Sequence, residues 1–194
     1  MTYIPSHLKP FSDTLPIFST TKPGFTDFVV GGLIFSTSNT TPSNEENSKT
    51  RRILLLQRSH SDSYGGYWEG PGGGLDPAVD GTILEGAARE VREESGLHVA
   101  RFIDLVSVDE WSRVKGDVLH VVAKFTFLVE VHEAVSSGSG RWEDGVRLEE
   151  TEHQAFAWAT EEEVREGIQG RGPYRFVGDQ GGNLLKAFEL VKRS

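Results

Sequence analysis

The sequence predicts an α/β/α sandwich in which a mixed central β-sheet carries helices on both faces. Apolar, β-branched segments alternate along the chain with segments of helical spacing. They interleave without a regular strand–helix–strand repeat, which favours a mixed sheet over an all-parallel one. Of the 194 residues, 37% are hydrophobic and 25% are charged, a composition that suits a single well-cored domain.

The N-terminal half is expected to begin with an extended arm and a hairpin. Residues 1–25 contain four prolines and are predicted to form the arm, and the domain proper is expected to span 26–194. Strands are predicted at Asp27–Phe35 and Arg52–Gln57, which are rich in apolar and β-branched residues. The segment 36–50 between them is rich in Ser, Thr and Asn, so it is expected to be a flexible surface loop.

A helix and two strands are predicted in the middle of the chain. Either Asp80 or Thr82 can cap a helix that continues to about Ser95, with Gly96 just beyond its C-terminus. Apolar runs then predict strands at Val99–Val108 and Val118–Val131.

The C-terminal part is predicted to hold one strand and two helices. A second flexible loop is expected at 135–145, followed by a strand at Gln154–Ala159. Thr160 can cap a helix with an acidic first turn, and helical apolar spacing predicts a closing helix at Asn183–Lys192.

Charge and cysteine content exclude several classes of function. The formal net charge of −9 argues against general nucleic-acid binding and against an anionic membrane surface as partner. The absence of cysteine excludes disulfides, Cys-ligated zinc and a thiol nucleophile, and it suits a reducing, cytoplasmic location. We find no signal-peptide core in residues 1–18 and no apolar run near the ~20 residues that a membrane span requires.

A cluster of acids on the central helix is the strongest chemical signal. Glu90, Glu93 and Glu94 fall at i, i+3 and i+4, and Glu90 and Glu94 border the apolar side of the helix. Alone, the pattern also fits a solvated amphipathic helix with an Arg/Glu surface. The preceding turn Pro71–Gly74 favours a metal site, because a bared main-chain carbonyl there can join the carboxylates around a hard cation.

At this point the chain resembles the Nudix hydrolases. Residues 89–97 read Arg-Glu-Val-Arg-Glu-Glu-Ser-Gly-Leu, which matches the second half of that family's signature, and Trp68-Glu69-Gly70-Pro71-Gly72-Gly73 resembles its entry. The first half is altered and lengthened. Counted from Gly73, Arg89 arrives two residues late and Val79 stands in place of an early glutamate, with Asp80 the nearest acid. The geometry of the loop at 75–81 is therefore an open question.

The resemblance implies a metal-dependent hydrolase of nucleoside diphosphates linked to another moiety. Its cofactor would be Mg²⁺ or Mn²⁺, which would neutralise the pyrophosphate and lower the pKa of a water that attacks phosphorus. The metal ligands would be Glu90, Glu93, Glu94 and the main-chain carbonyl of Gly72. Arg89 would orient the carboxylates, and Arg58 would contact phosphate, although a plain surface arginine is an equal alternative for Arg58.

The general base is left open between two carboxylates. Glu93 lies within the signature, whereas Glu152 precedes the strand at Gln154–Ala159 and also fits a plain acidic surface run. His98, His120 and His153 show no metal-ligand spacing and are interpreted as incidental.

Other functions remain alternatives. The altered loop motivates a nucleotide-binding or regulatory module that has lost turnover, and an acidic Ca²⁺-binding surface is a weaker candidate because no EF-hand pattern is present. The residues near Ser112–Lys115 match none of the substrate-marking patterns associated with the family's subgroups, so the identity of the nucleoside diphosphate derivative is open. Some family members form homodimers, and the sequence leaves this open as well.

Overall fold

The fold is built on one seven-stranded mixed sheet. The computed structural model describes residues 2–38, 50–136 and 141–193. The main strand order is β3-β2-β1-β6-β5, with β4 paired to β1 and β7 paired to β2. Strand β1 runs parallel to β6, and the other pairs are antiparallel. The strands are β1 (Asp27–Ser38), β2 (Thr50–Arg58), β3 (Trp68–Glu69), β4 (Gly72–Gly74), β5 (Val99–Lys115), β6 (Val118–Val131) and β7 (His153–Thr160).

Helices cover both faces of this sheet, as predicted. The helices are α1 (Leu15–Thr21), α2 (Ile83–Ser95), α3 (His132–Ser136), α4 (Glu161–Ile168) and α5 (Gln180–Arg193), with 3₁₀ helices at Ser6–Ser12 and Trp142–Gly145. On β2, Leu54 and Leu56 pack in one core with α2, whereas Ile53 and Leu55 pack in a second core with α4 and α5. Alternate residues of a strand point to opposite faces, so β2 is buried on both sides. The predicted sandwich is confirmed.

The N-terminal segment is helical and packed, so the prediction of an extended arm over residues 1–25 is wrong. Leu8, Leu15 and Phe18 are buried in the core beneath α2. The ring of Phe11 lies 5.4 Å from that of Phe125 on β6. Pro5 at an N-cap and Pro16 in the first turn of α1 lie where helices tolerate proline, whereas Pro10 lies inside the 3₁₀ helix. Burial of large apolar side chains therefore outweighs the extended preference of the prolines.

The two predicted loops are shorter than expected. Strand β1 continues to Ser38 and β2 begins at Thr50, and their pairing confirms the predicted hairpin, whose remaining connection at 39–49 lies outside the described residues. In the second loop, α3 and the 3₁₀ helix at Trp142–Gly145 occupy both ends, and 137–140 lies outside the described part. The flexibility predicted for both loops stays a prediction.

Helix boundaries and caps follow the sequence closely. The Thr82 hydroxyl accepts a hydrogen bond from the Glu85 N–H at 3.1 Å, and Gly96 ends α2 in the left-handed conformation with φ of 71°. Thr160 and Glu163 form a reciprocal capping box on α4. Strand β5 continues to Lys115, past the predicted end at Val108, because its polar second half pairs with β6 in an exposed hairpin. In the described part of the chain, no helix has both the length and the apolar character to cross a membrane.

Candidate active site

Close packing of α2 on β1 brings the acids of α2 against the glycine-rich strand β4. A Cβ atom on Gly32 would lie 2.5 Å from Cγ2 of Val91, so only glycine allows this approach. Glu90 and Glu94 are consequently 7% and 4% exposed. The Gly72 N–H donates to Oε2 of Glu94 at 2.7 Å. The Glu90 carboxylate lies over Gly73, where an added Cβ would be 2.6 Å from its Oε2.

The ionised forms of the two buried carboxyl groups are destabilised by their surroundings. Burial raises the pKa of Glu94 to about 9, and the neighbouring carboxylates of Glu69, Glu90 and Glu152 add to the effect although the Gly72 N–H opposes it. Burial also raises the pKa of Glu90, partly offset by Arg89. Desolvated carboxylates in contact with like charge favour a bound cation, which would stabilise their ionised forms. The donor set therefore fits a divalent metal.

Arg89 holds the acidic edge of α2 in place. Its guanidinium lies 2.9 Å from Oε1 of Glu90, and it donates to Oε2 of Glu93 at 2.7 Å and to the Gly74 carbonyl at 3.1 Å. The Asp80 hydrogen bond raises the pKa of Arg89, so its charge is secure. Glu93 is the outermost acid of the three, because its side chain is 47% exposed.

In the lengthened loop, the acid that pairs with Arg89 is Asp80, one residue after the counted position of the early glutamate. Val79, which stands at the counted place of the early glutamate, is 68% exposed, whereas Asp80 is 5% exposed. The Asp80 N–H donates to the Asp76 carbonyl at 2.7 Å, and the Asp76 N–H donates to Oδ2 of Asp80 at 2.9 Å. This tight turn directs the Asp80 carboxylate inward, where it pairs with Arg89.

Glu152 and His153 join the site at the start of β7. One ligand atom from each of Glu94, Glu152 and His153 lies within 4.8 Å of the other two. Glu152 is exposed and His153 is 3% exposed. The placement of His153 differs from the interpretation of this residue as incidental. The only sequence signal was its position directly after Glu152, because linear spacing does not show that β7 begins beside α2.

Arg58 lies on the wall of the adjacent cleft and is firmly held. It forms ion pairs with Asp62 and Glu69, and its Nε donates to the Ser63 carbonyl at 2.7 Å. Burial would raise the pKa of Glu69, but His153, Lys124 and Arg58 outweigh it and the pKa is lowered. Arg58 can therefore meet a substrate only with the guanidinium surface that these pairs leave open.

The cleft itself has a volume of about 850 Å³ and opens beside Gly72–Gly74. It lies between the strands β1, β5 and β6 and the start of α5. Lys124 and Trp111 line it, as does Asp109, whose two carboxylate oxygens accept from Asn183 Nδ2 at 2.9 and 2.8 Å. This volume is within the range of small-molecule and cofactor sites, roughly 300–1,000 Å³. Trp68 packs edge-on against Tyr174 at 5.0 Å, which assigns it to the core.

Comparisons with known proteins agree with this fold. A family model described as NUDIX domain matches residues 44–177, more than half of the chain. No curated protein matches the chain. Among solved structures, a C. elegans Ap4A hydrolase binary complex is similar with a TM-score of 0.54 and 17% identity, covering 87% of this chain and 100% of that one.

Two further similar structures come from Shewanella oneidensis NrtR. Its NUDIX domain complexed with ADP ribose gives a TM-score of 0.57 at 13% identity, covering 84% of this chain and 87% of that one. NrtR complexed with a 27mer DNA gives 0.54 at 13% identity, covering 86% of this chain and 62% of the NrtR chain. At such identities the likeness establishes the fold.

Proposed function

The chain belongs to the Nudix family, and from this premise we propose that it is a hydrolase that cleaves the pyrophosphate linkage of a nucleoside diphosphate joined to another moiety. The observation that carries the proposal is the pair of buried carboxylates, Glu90 and Glu94, which lie against Gly72 and Gly73 on the lining of a cleft of about 850 Å³. Buried neighbouring carboxylates are stabilised in their ionised forms when a cation binds between them.

Mg²⁺ or Mn²⁺ is the proposed cofactor. When bound, it would neutralise pyrophosphate charge and increase the acidity of a water. Glu90, Glu94 and the main-chain carbonyl of Gly72 would hold it, with Glu93 at the outer edge. The support is the close approach of Gly72 and Gly73 to these carboxylates.

Glu152 is the better placed of the two candidate bases. The Glu93 carboxylate is engaged by Arg89 at 2.7 Å and lies 3.7 Å from Arg92. Glu152 is exposed, lies beside Glu94, and has no ion pair among the described residues. A free carboxylate within reach of the metal-binding oxygens can accept the proton of the attacking water without first breaking an ion pair.

Cationic side chains in the cleft would orient the substrate. Arg58 lies on one wall, and Lys124 reaches the cleft from β6 with no carboxylate within ion-pair distance in the described part of the chain. Both are suited to phosphate oxygens. The remaining space towards Trp111 would take the second moiety.

The direct test is turnover on a panel of ADP-ribose, NADH, dinucleoside polyphosphates and (d)NTPs, each with Mg²⁺ and with Mn²⁺. We expect metal-dependent release of a nucleoside monophosphate from at least one of them. Glu94→Gln should lower kcat/KM by about 100-fold or more, as loss of a metal ligand does. Glu150→Gln, a change at a neighbouring exposed acid, is the matched control and should leave the rate unchanged. If no substrate turns over, the enzymatic proposal fails.

A nucleotide-binding or regulatory module without turnover is the second candidate. The lengthened loop at 75–81 favours it, as does the fold shared with the NUDIX domain of NrtR, which was solved with ADP ribose. Calorimetric binding of ADP-ribose together with no cleavage over hours would select this candidate. Cleavage of any member of the panel excludes it.

A further inference from the structure

His153 is a buried imidazole with unused hydrogen-bonding capacity. Its side chain is 2% exposed, and neither ring nitrogen has a hydrogen-bond partner among the described residues. Buried polar side-chain atoms are nearly always paired, so an unpaired imidazole needs a specific explanation. Its Nε2 lies 3.6 Å from Oε1 of Glu69, which is too far for a hydrogen bond.

The unpaired ring lies where a small ion would fit. Ligand atoms of His153, Glu94 and Glu152 are all within 4.8 Å of one another. Three ligands around one ion are roughly 3.3–3.8 Å apart, given bonds of roughly 2.0–2.2 Å. The three groups would therefore have to approach one another by about 1 Å to share one cation, a shift that side-chain rotation can supply.

Glu69 is placed to support the imidazole in that role. A histidine that binds a metal through one nitrogen usually donates its other N–H to a carboxylate or carbonyl. Glu69 is 6% exposed and is itself fixed by Arg58, so its position is set independently of His153. The row of Arg58, Glu69 and His153 would thus hold the ring with one nitrogen free for the ion.

We propose that His153 is a nitrogen ligand to a divalent cation held jointly with Glu94 and Glu152, and that this site prefers transition-metal ions to Mg²⁺. Mg²⁺ takes oxygen ligands and keeps several waters, whereas imidazole suits first-row transition ions. The inference shares two residues with the proposed function: Glu94, a ligand in both cation sites, and Glu152, the proposed base, which would bind this ion in the absence of substrate. Metal binding without substrate tests it separately.

The experiment measures metal binding by the full-length protein. Pulsed EPR on the Mn²⁺-loaded protein should show coupling to an imidazole ¹⁴N, and His153→Gln should abolish it. In titration calorimetry, His153→Gln should weaken Co²⁺ binding by about 10-fold or more and change Mg²⁺ binding by less than about 3-fold. Turnover is not needed for either readout, so failure of the hydrolase proposal would leave this result standing.

A second variant tests the same site if the buried substitution His153→Gln prevents folding. Glu152 is exposed, so Glu152→Gln should fold normally and should also weaken Co²⁺ binding, while Glu150→Gln should not. Absence of ¹⁴N coupling in the wild-type protein would overturn the inference. Coupling that persists in His153→Gln, or unchanged Co²⁺ affinity in a folded His153→Gln, would overturn it equally.

Discussion

The guanidinium of Arg89 donates two hydrogen bonds to the carboxylate of Asp80, from Nε to Oδ1 and from Nη2 to Oδ2, each at 2.8 Å. Asp80 belongs to the lengthened loop, and Arg89 also contacts Glu90 and the Gly74 carbonyl. The loop therefore reaches the proposed metal ligands through one arginine. Val79 at the counted position does not interrupt this connection, because the turn at Asp76 presents the next residue instead.

Replacing Asp80 with Asn should weaken both stability and activity. The Asp80 side chain is 2% exposed, and Asn cannot replace its charged hydrogen bonds with Arg89, which keeps only Glu90 and Glu93 as carboxylate partners. The expected cost is on the order of 2 kcal/mol. Denaturant unfolding measures this cost, with Asp117→Asn in the exposed hairpin turn as control. We expect kcat to fall about 10-fold, as for loss of a group that orients metal ligands. A wild-type rate and wild-type stability would show that the loop does not support the site.

The stability difference between the wild type and Asp80→Asn should depend on pH. Burial would raise the pKa of Asp80, but the hydrogen bonds from Arg89 outweigh it, and the pKa lies below its ordinary value of 3.8. The ion pair thus contributes its full stability above pH 3.8 and loses it as pH falls through the lower folded-state pKa. Unfolding free energies of the two proteins should differ by a constant amount between pH 5 and pH 7 and should converge below pH 3.8. A constant difference down to pH 2.5 would contradict this.

Gly73→Ala should displace Glu90 and lower activity sharply. The new methyl group would meet the Glu90 carboxylate at 2.6 Å, whereas a Cβ on Gly74 would meet nothing within 4 Å. Gly74→Ala is therefore the matched control. We expect kcat/KM to fall about 100-fold for Gly73→Ala, since misplacement of a reacting group by about 1 Å has this effect, and less than 3-fold for Gly74→Ala. Equal effects of the two substitutions would argue against Glu90 as a ligand.

Glu94→Gln should stabilise the metal-free protein at alkaline pH. The folded-state pKa of Glu94 is about 9 against an ordinary value of 4.5, so folding favours the protonated form. That contribution is complete below pH 4.5 and is lost as pH rises towards 9. In EDTA at pH 8, Glu94→Gln should gain roughly 1–3 kcal/mol, the usual cost of an uncompensated buried polar group. A variant less stable than the wild type at pH 8 would show that the carboxylate is already compensated.

The N-terminal segment should contribute to stability through α1. Phe18 is 3% exposed, and its ring packs against Phe28 and Phe125. Phe18→Ala should cost about 3–5 kcal/mol in the unfolding free energy. The adjacent Ile17 is 56% exposed, so Ile17→Ala should cost less than about 0.5 kcal/mol. A small effect of Phe18→Ala would mean that the segment docks only weakly.

Local signals predicted much of the fold and the central helix. The helix caps at Thr82, Gly96 and Thr160 each depend on a single residue that the sequence shows directly. The strand at Val118–Val131 has the predicted bounds. The N-terminal helices could not be predicted in this way, because their stability comes from burial of side chains such as Leu8 against residues far along the chain. The short strand Gly72–Gly74 depends likewise on pairing with β1.

In the candidate site, too, the sequence predicts the residues that local spacing brings together but not those that long-range contacts bring together. The spacing of Glu90, Glu93 and Glu94 follows from helix periodicity, so the sequence places them together. His153 lies fifty-nine residues after Glu94 in the chain, and β-sheet pairing of β7 with β2 brings it to the site. The role of Asp80 was similarly hidden, because a count of residues cannot show which side of a turn faces inward.

The most direct test of metal-dependent water attack on phosphorus follows hydrolysis in H₂¹⁸O by mass spectrometry. The substrate panel is incubated with Mn²⁺ or Mg²⁺, alongside EDTA and Glu94→Gln controls. We expect cleavage of at least one nucleoside diphosphate derivative, with one ¹⁸O in a product phosphate group. This cleavage should be lost in EDTA and about 100-fold slower in Glu94→Gln. Cleavage that persists in EDTA, label in a sugar hydroxyl, or no cleavage of any substrate would contradict it.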